Sequence, residues 1–146
     1  MVFIKRISKG SAIVSLSSAR NEPVSITFPT MVVSSINDFK YLGVKTNLND
    51  EDNVRVYRFI EGVENSMEQF FNKRKTYCKS VLTNDSIKVK IPFKGHNFQV
   101  DTPHLITELE VGRVIEDVVI ELKNIYVLDK GYYDIVGCIW ILKSFN

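Results

Sequence analysis

The last third of the chain carries the clearest pattern of apolar and polar positions. Residues 118–127 and 132–142 are both dense in β-branched and aromatic side chains, which favours β-strands. Gly131, between the two runs, supplies the positive φ that a short hairpin turn needs. Both runs exceed the usual strand length of about 5–6 residues, so we expect them to curl, with Gly137 as the place for a bend or a close backbone approach. The pattern predicts one long β-hairpin that closes a small barrel.

Shorter strands are predicted near the start of the chain. Residues 4–17 and 24–28 mix apolar side chains with Ser and Thr, which indicates two short strands or a hairpin. Residues 31–33 extend the second strand past Pro29, which would then lie at a sheet edge or a bulge. Residues 37–52 are rich in Asn and Asp and predict an exposed connection.

One helix is predicted in the middle of the chain. Residues 54–57 alternate and indicate a brief strand, after which apolar residues recur at spacings of three and four over 59–73. Acidic residues come early in this helix and the basic cluster 73–75 comes at its end, the order that the helix dipole favours. That cluster, with Tyr77 and Lys79, is also a candidate phosphate-binding patch.

A row of lysines is the best functional feature of the sequence. In residues 86–94 apolar side chains occupy alternate positions, and lysines occupy positions between them. Ammonium groups about 7 Å apart on one strand face can follow a phosphate backbone and release its counterions. The same row is equally typical of a solvated strand whose lysines prevent edge-to-edge aggregation. The lysines concerned are Lys88, Lys90 and Lys94.

Composition bounds the class of protein. At 146 residues, with 45% hydrophobic and 25% charged residues, the chain fits a single globular domain over 1–146. The net charge of +2, from 19 basic and 17 acidic residues, is too small to indicate nucleic acid by itself. Cys78 and Cys138 form no CxxC motif, and we find no signal peptide or membrane-length apolar run. We therefore expect no membrane partner, inert thiols and an intracellular setting, which for a viral protein is the compartment of viral DNA replication.

The order of elements predicts the fold class. Strands, one helix and more strands do not alternate as in a doubly wound parallel sheet. We predict a mainly β protein with one amphipathic helix, built as a five-stranded antiparallel barrel of the oligonucleotide-binding (OB) type. If 54–57 is the third strand, the helix lies between the third and fourth.

Several segments carry a resemblance to a known family: 26–29 leading into 37–39, the helix 59–71, the strand 87–93 and the hairpin 119–140. By residue type and order, they resemble the single-stranded DNA-binding proteins of tailed phages and large double-stranded DNA viruses. The resemblance implies one OB barrel that coats single-stranded DNA in replication, recombination or repair, with replication proteins as partners. Recruitment through the acidic tail that members often carry is not expected, because residues 143–146 do not match it.

The predicted mechanism is passive binding without a cofactor, a metal or catalytic residues. Stacking of a base on an aromatic ring contributes roughly 1–3 kcal/mol and tolerates any base. Most aromatic residues in a small barrel belong to the core, and this is the alternative for each candidate. We predict stacking by Trp140, Tyr126 and Tyr41, and phosphate contacts by Lys88, Lys90, Lys94, Lys45 and Arg58.

Two other functions stay open at this point. The same barrel would serve as a viral structural or host-protein-interaction module. Alternatively, Asp101 with Glu121 and Lys123 is reminiscent of metal-dependent nucleases, in which carboxylates hold Mg²⁺. His96 and His104 have no nearby Cys, so we expect no zinc site. The sequence separates neither DNA from RNA binding nor a monomer from a homo-oligomer.

Overall fold

The computed structural model describes residues 2–16, 22–46, 49–72 and 75–146, and within these ranges the chain is mainly β with one α-helix. This confirms the predicted fold class. A short 3₁₀ helix, Ile106–Glu108, precedes the last two strands. The elements in chain order are β1 (Phe3–Ser8), β2 (Ser11–Ser15), β3 (Val24–Asn37), β4 (Tyr41–Thr46), α1 (Glu51–Phe70), β5 (Thr76–Lys79), β6 (Leu82–Thr83), β7 (Ser86–Lys90), β8 (Phe93–Lys94), β9 (Asn97–Phe98), β10 (Val114–Asp129) and β11 (Asp134–Ser144).

Five strands close into a barrel. Around it β10 pairs with β3, β3 with β4, β4 with β7, β7 with β11, and β11 returns to β10. All of these pairings are antiparallel except that of β7 with β11, where Lys90 faces Ile141 in a parallel register. The barrel is therefore mixed, although we predicted an antiparallel one, and it is consistent with the OB type.

The predicted closing hairpin is confirmed. Strand β10 is long enough to pair with β3 through its first half and with β11 over most of its length. Its ladder with β11 shifts register between Val119 and Ile120 and again between Leu122 and Asn124, and such bulges bend a strand. Gly131 in the turn has φ 93°, the positive value expected from the sequence.

Strand β3 continues past Pro29, as predicted. Its ladder with β10 is interrupted at the proline, since Phe28 pairs with Val118 and Thr30 with Glu116. A proline is tolerated there because the interrupted ladder requires no N–H donor at position 29. Pairing of β3 with β4 begins two residues later, at Met31.

The exposed connection predicted for residues 37–52 is wrong over β4. Leu42, Val44 and Thr46 are buried, and the strand lies between β3 and β7 in the barrel wall. The flanking Asn and Asp residues hide this short alternation. A further prediction, of a strand at 54–57, is also wrong, because these residues belong to α1.

Helix α1 begins at Glu51, eight residues before the predicted start at Phe59. The Asp50 carboxylate caps the helix by accepting hydrogen bonds from the backbone amides of Asp52 and Asn53 in its first turn. The predicted apolar face is confirmed, with Ile60, Val63 and Met67 buried. The helix ends at Phe70 rather than at 73, and the basic residues 73–74 lie outside the described part of the chain.

The helix also occupies a different place in the topology from the one predicted. Since 54–57 is helical, the third barrel strand is β7, and α1 lies between the second and third strands. The barrel core includes Trp140, Phe28 and Phe145 among its largest fully buried side chains. No helix in the described ranges is long and apolar enough to cross a membrane.

Candidate functional site

A gap in the ladder of β11 creates a recess in the barrel wall. Strand β11 pairs with β5 up to Gly137 and with β7 at Ile141, so residues 138–140 lie where it changes partner. The recess there measures about 240 Å³ and holds five of the eight predicted binding residues. We call it the central groove; its lining is Tyr41, Lys79, Ser80, Val81, Lys88, Lys90, Tyr126, Cys138, Ile139 and Trp140.

Alternation along β7 puts two lysines on the groove side of the barrel. Ile87 and Val89 are buried, so Lys88 and Lys90 face outward. In the β4–β7 ladder Tyr41 lies opposite Lys90, and the Lys88 ammonium lies 4.5 Å from the centre of the Tyr41 ring. A cation held over an aromatic face contributes about 0.5–1 kcal/mol at exposed sites. One ring and two ammonium groups are thereby held together.

The charged side chains in the described lining of the groove are basic. Lys79, Lys88 and Lys90 line it, and its described lining includes no carboxylate. A cleft lined by one sign of charge concentrates the field and attracts counter-charged ligands. The Glu64 carboxylate lies beside this lining and accepts hydrogen bonds from Ser80 Oγ and Val81 N–H, so it offsets part of the positive charge.

Gly137 fixes the position of Tyr126. The two residues lie directly opposite each other in the β10–β11 ladder. A Cβ atom on Gly137 would lie 2.5 Å from Tyr126 Cζ and 2.8 Å from Cε1, so only glycine leaves room for the ring. This confirms the predicted close approach. Burial, and then the nearby Cys138 and Tyr41, raise the pKa of Tyr126 above its ordinary value.

The predicted stacking role of Trp140 needs correction. Its side chain is 1% exposed, and it shares the inward face of β11 with Cys138 and Leu142. A ring buried this deeply has no free face for a base. Trp140 forms part of the groove floor, and its Nε1 has no hydrogen-bond partner among the described residues.

Three predicted phosphate contacts lie outside the central groove. Strand β7 ends at Lys90, and Lys94 belongs to the separate β8–β9 hairpin that follows Pro92, so the predicted lysine row is two residues long. Lys45 is on β4, and its ammonium lies 3.5 Å from a carboxylate oxygen of Asp85. Arg58 is exposed on α1.

Two further grooves adjoin the central one and share Tyr41 with it. The first has a floor of small residues that the sequence analysis missed, including Gly43 and Ser34. A Cβ atom at Gly43 would lie 3.0 Å from Ser34 Oγ. The absence of a side chain at this position therefore leaves the surface of the groove recessed. The signal was a glycine within an alternating strand, which indicates close approach of another group. The second groove contains Phe93 and Phe98, whose rings pack edge to face 5.0 Å apart.

The residues of the nuclease alternative form no metal centre in the described ranges. No group of three or more His, Cys, Asp or Glu side chains there could hold a metal ion. The Glu121 carboxylate lies 3.4 Å from the Lys143 ammonium. Asp101 is bonded through its backbone to the end of β11.

Comparison with protein-family models, with curated proteins and with solved structures finds no match to this chain. The family resemblance noted in the sequence therefore stays a prediction.

Proposed function

We propose that this chain binds single-stranded nucleic acid, with DNA as the first candidate, and without strong sequence preference. The observation that carries the proposal is the Lys88 ammonium held beside the Tyr41 ring, in a groove whose charged lining residues are lysines as far as the structure describes the chain. These residues come from β4 and β7, the second and third barrel strands. In OB barrels the face of these two strands binds oligonucleotides.

Binding would use two kinds of contact. A base stacks on Tyr41, which is 37% exposed, and any base has the π-face that stacking requires. The ammonium groups of Lys88 and Lys90 pair with the phosphates next to the stacked base. No bond is made or broken, so the mechanism is passive binding. Tyr126 contributes a neutral hydroxyl and a partly buried ring at the edge of the same groove.

The decisive experiment is a fluorescence-anisotropy titration of labelled oligo-dT, with duplex DNA and an RNA equivalent alongside, at several salt concentrations. We expect salt-sensitive binding that prefers the single strand. Each phosphate neutralised on a single strand contributes about −0.7 to the slope of log K against log salt. Lys88→Gln should therefore flatten the slope by about 0.7, and Tyr41→Leu should weaken binding by about five- to 150-fold.

Lys123→Gln is the matched control, because it makes the same charge change at an exposed lysine of β10 outside the groove. It should alter binding far less than Lys88→Gln. Equal binding to duplex and single strand, or equal effects of the two lysine variants, would refute the central groove as the binding site for a single strand. No binding at low salt would favour the alternative of a protein-interaction barrel. A role in viral or phage-type replication, recombination or repair follows from the sequence resemblance alone and stays a prediction.

A further inference from the structure

A second pair of lysine and tyrosine side chains lies outside the five barrel strands, with Tyr77 on β5 and Lys75 just before it. The Lys75 ammonium lies 5.7 Å from the centre of the Tyr77 ring, repeating the arrangement of Lys88 over Tyr41. Tyr77 is 52% exposed. It packs edge to face against Tyr133, with ring centres 5.1 Å apart.

Tyr77 and Tyr133 line a groove that shares one residue with the central groove. We call it the edge groove; Tyr77, Cys78, Lys79, Tyr133 and Ile135 line it. Lys79 lines both grooves, so an ammonium group lies at their junction. The described lining of the edge groove, like that of the central groove, includes no carboxylate.

The strand register gives the distance between the two grooves. Ile135 of β11 lies opposite Tyr77, and Ile139 of the same strand lines the central groove. Four residues along a strand span about 13 Å. A stacked nucleic-acid strand covers that distance in about four nucleotides, at about 3.4 Å each, and an extended strand in fewer. Both grooves are thus within reach of one short oligonucleotide.

We propose that the edge groove is a second stacking subsite for the same single strand, with Tyr77 as its base platform. Lys75 and Lys79 would take the phosphates on either side of the stacked base. The inference rests on the function proposed above and adds the length of strand that the protein needs for full affinity. If the Tyr77–Tyr133 pair only stabilises β5 at the edge of the sheet, binding affinity should not depend on the length of the oligonucleotide.

The test is a length series of labelled oligo-dT, of about 2 and about 15 nucleotides: the shorter one cannot reach both grooves at about 3.4 Å per stacked nucleotide, and the longer one lies within the roughly 4–16 nucleotides that one such barrel covers. We expect Tyr77→Leu to weaken binding of the long oligonucleotide by about five- to 150-fold and to leave the short one unchanged. Tyr77→Phe, which keeps the ring, should retain full affinity for both. Unchanged binding of the short oligonucleotide also shows that the variant is folded.

Tyr132→Leu is the control variant, because Tyr132 is 94% exposed next to Tyr133 but does not line the edge groove. It should bind both lengths as the native chain does. If the native chain binds both lengths equally, or if Tyr77→Leu weakens both equally, the second subsite is refuted while the central groove stands. If neither length binds, both proposals fail.

Discussion

Replacing Gly137 with alanine tests how the central groove is built. Gly137 lies beneath the Tyr126 ring, and the added methyl group would lie 2.5 Å from Cζ and 2.8 Å from Cε1. Carbon atoms that are not bonded do not approach so closely. The ring must therefore leave its place against the sheet in Gly137→Ala.

The expected cost follows from the size of the clash. Inserting a methyl group into a packed site destabilises a protein by roughly 1–3 kcal/mol. For a chain of this length, each kcal/mol lowers the melting temperature by about 2–4 °C. We therefore expect Gly137→Ala to melt about 2–12 °C below the native chain when unfolding is followed by circular dichroism. Oligo-dT affinity should fall in the same variant, because the displaced Tyr126 ring lines the groove.

A double-mutant cycle separates this clash from other effects of the glycine. In Tyr126→Ala the ring is absent, so Gly137→Ala should destabilise that background far less, with an interaction energy of about 0.5–3 kcal/mol. Gly62→Ala is the control, since Gly62 is exposed on α1 with no atom within 4 Å of an added Cβ. It should stabilise the chain by about 0.5–1 kcal/mol. Equal costs of Gly137→Ala in both backgrounds would refute the reasoning.

Three other predictions test the cap, a buried thiol and a groove boundary. Asp50→Ala should lower the free energy of unfolding in urea by about 0.5–2 kcal/mol, whereas Asp50→Asn should keep most of it. Burial raises the pKa of Cys138 to about 12 from an ordinary value of 9.0, so the unfolded chain loses this proton first. Stability should fall between these pH values by at most about 1.4 kcal/mol per unit from this thiol, and Cys138→Ala should remove that part of the slope. Lys45→Ala should weaken oligo-dT binding less than Lys88→Ala, because an aspartate carboxylate already lies 3.5 Å from the Lys45 ammonium; an equal loss would contradict this.

The sequence predicts those elements whose apolar periodicity extends over enough residues to differ from chance alternation. The closing hairpin and the apolar face of α1 belong to this group, since each repeats its pattern over ten or more residues. Strand β4 does not, because its alternation is short and lies among Asn and Asp residues. The start of α1 was missed because residues 54–57 alternate as a strand would. Asp50, which caps the helix, is the better indicator of where the helix begins.

The site was harder to predict than the fold. Alternation shows which residues of a strand share a face, but not which face is turned inward. For β11 the inward face carries Trp140, which the sequence alone cannot distinguish from an exposed platform. The end of the lysine row was predictable, since Pro92 interrupts the strand before Lys94. The role of Lys79 was not, because it depends on β5 lying beside β11.

The position of the central groove follows from the way the barrel closes. Strand β11 leaves β5 after Gly137 and joins β7 at Ile141, so the groove lies at the junction where three strands meet. A ligand bound there would contact all three strands and would add to the junction of β7 with β11, which a single parallel residue pair connects within the described ranges. Binding should therefore stabilise the fold, by about 2.7 kcal/mol at a ligand concentration of about 100 Kd. Hydrogen exchange of the β7 and β11 amides should slow more than that of the outlying β1–β2 hairpin if the ligand acts at this junction.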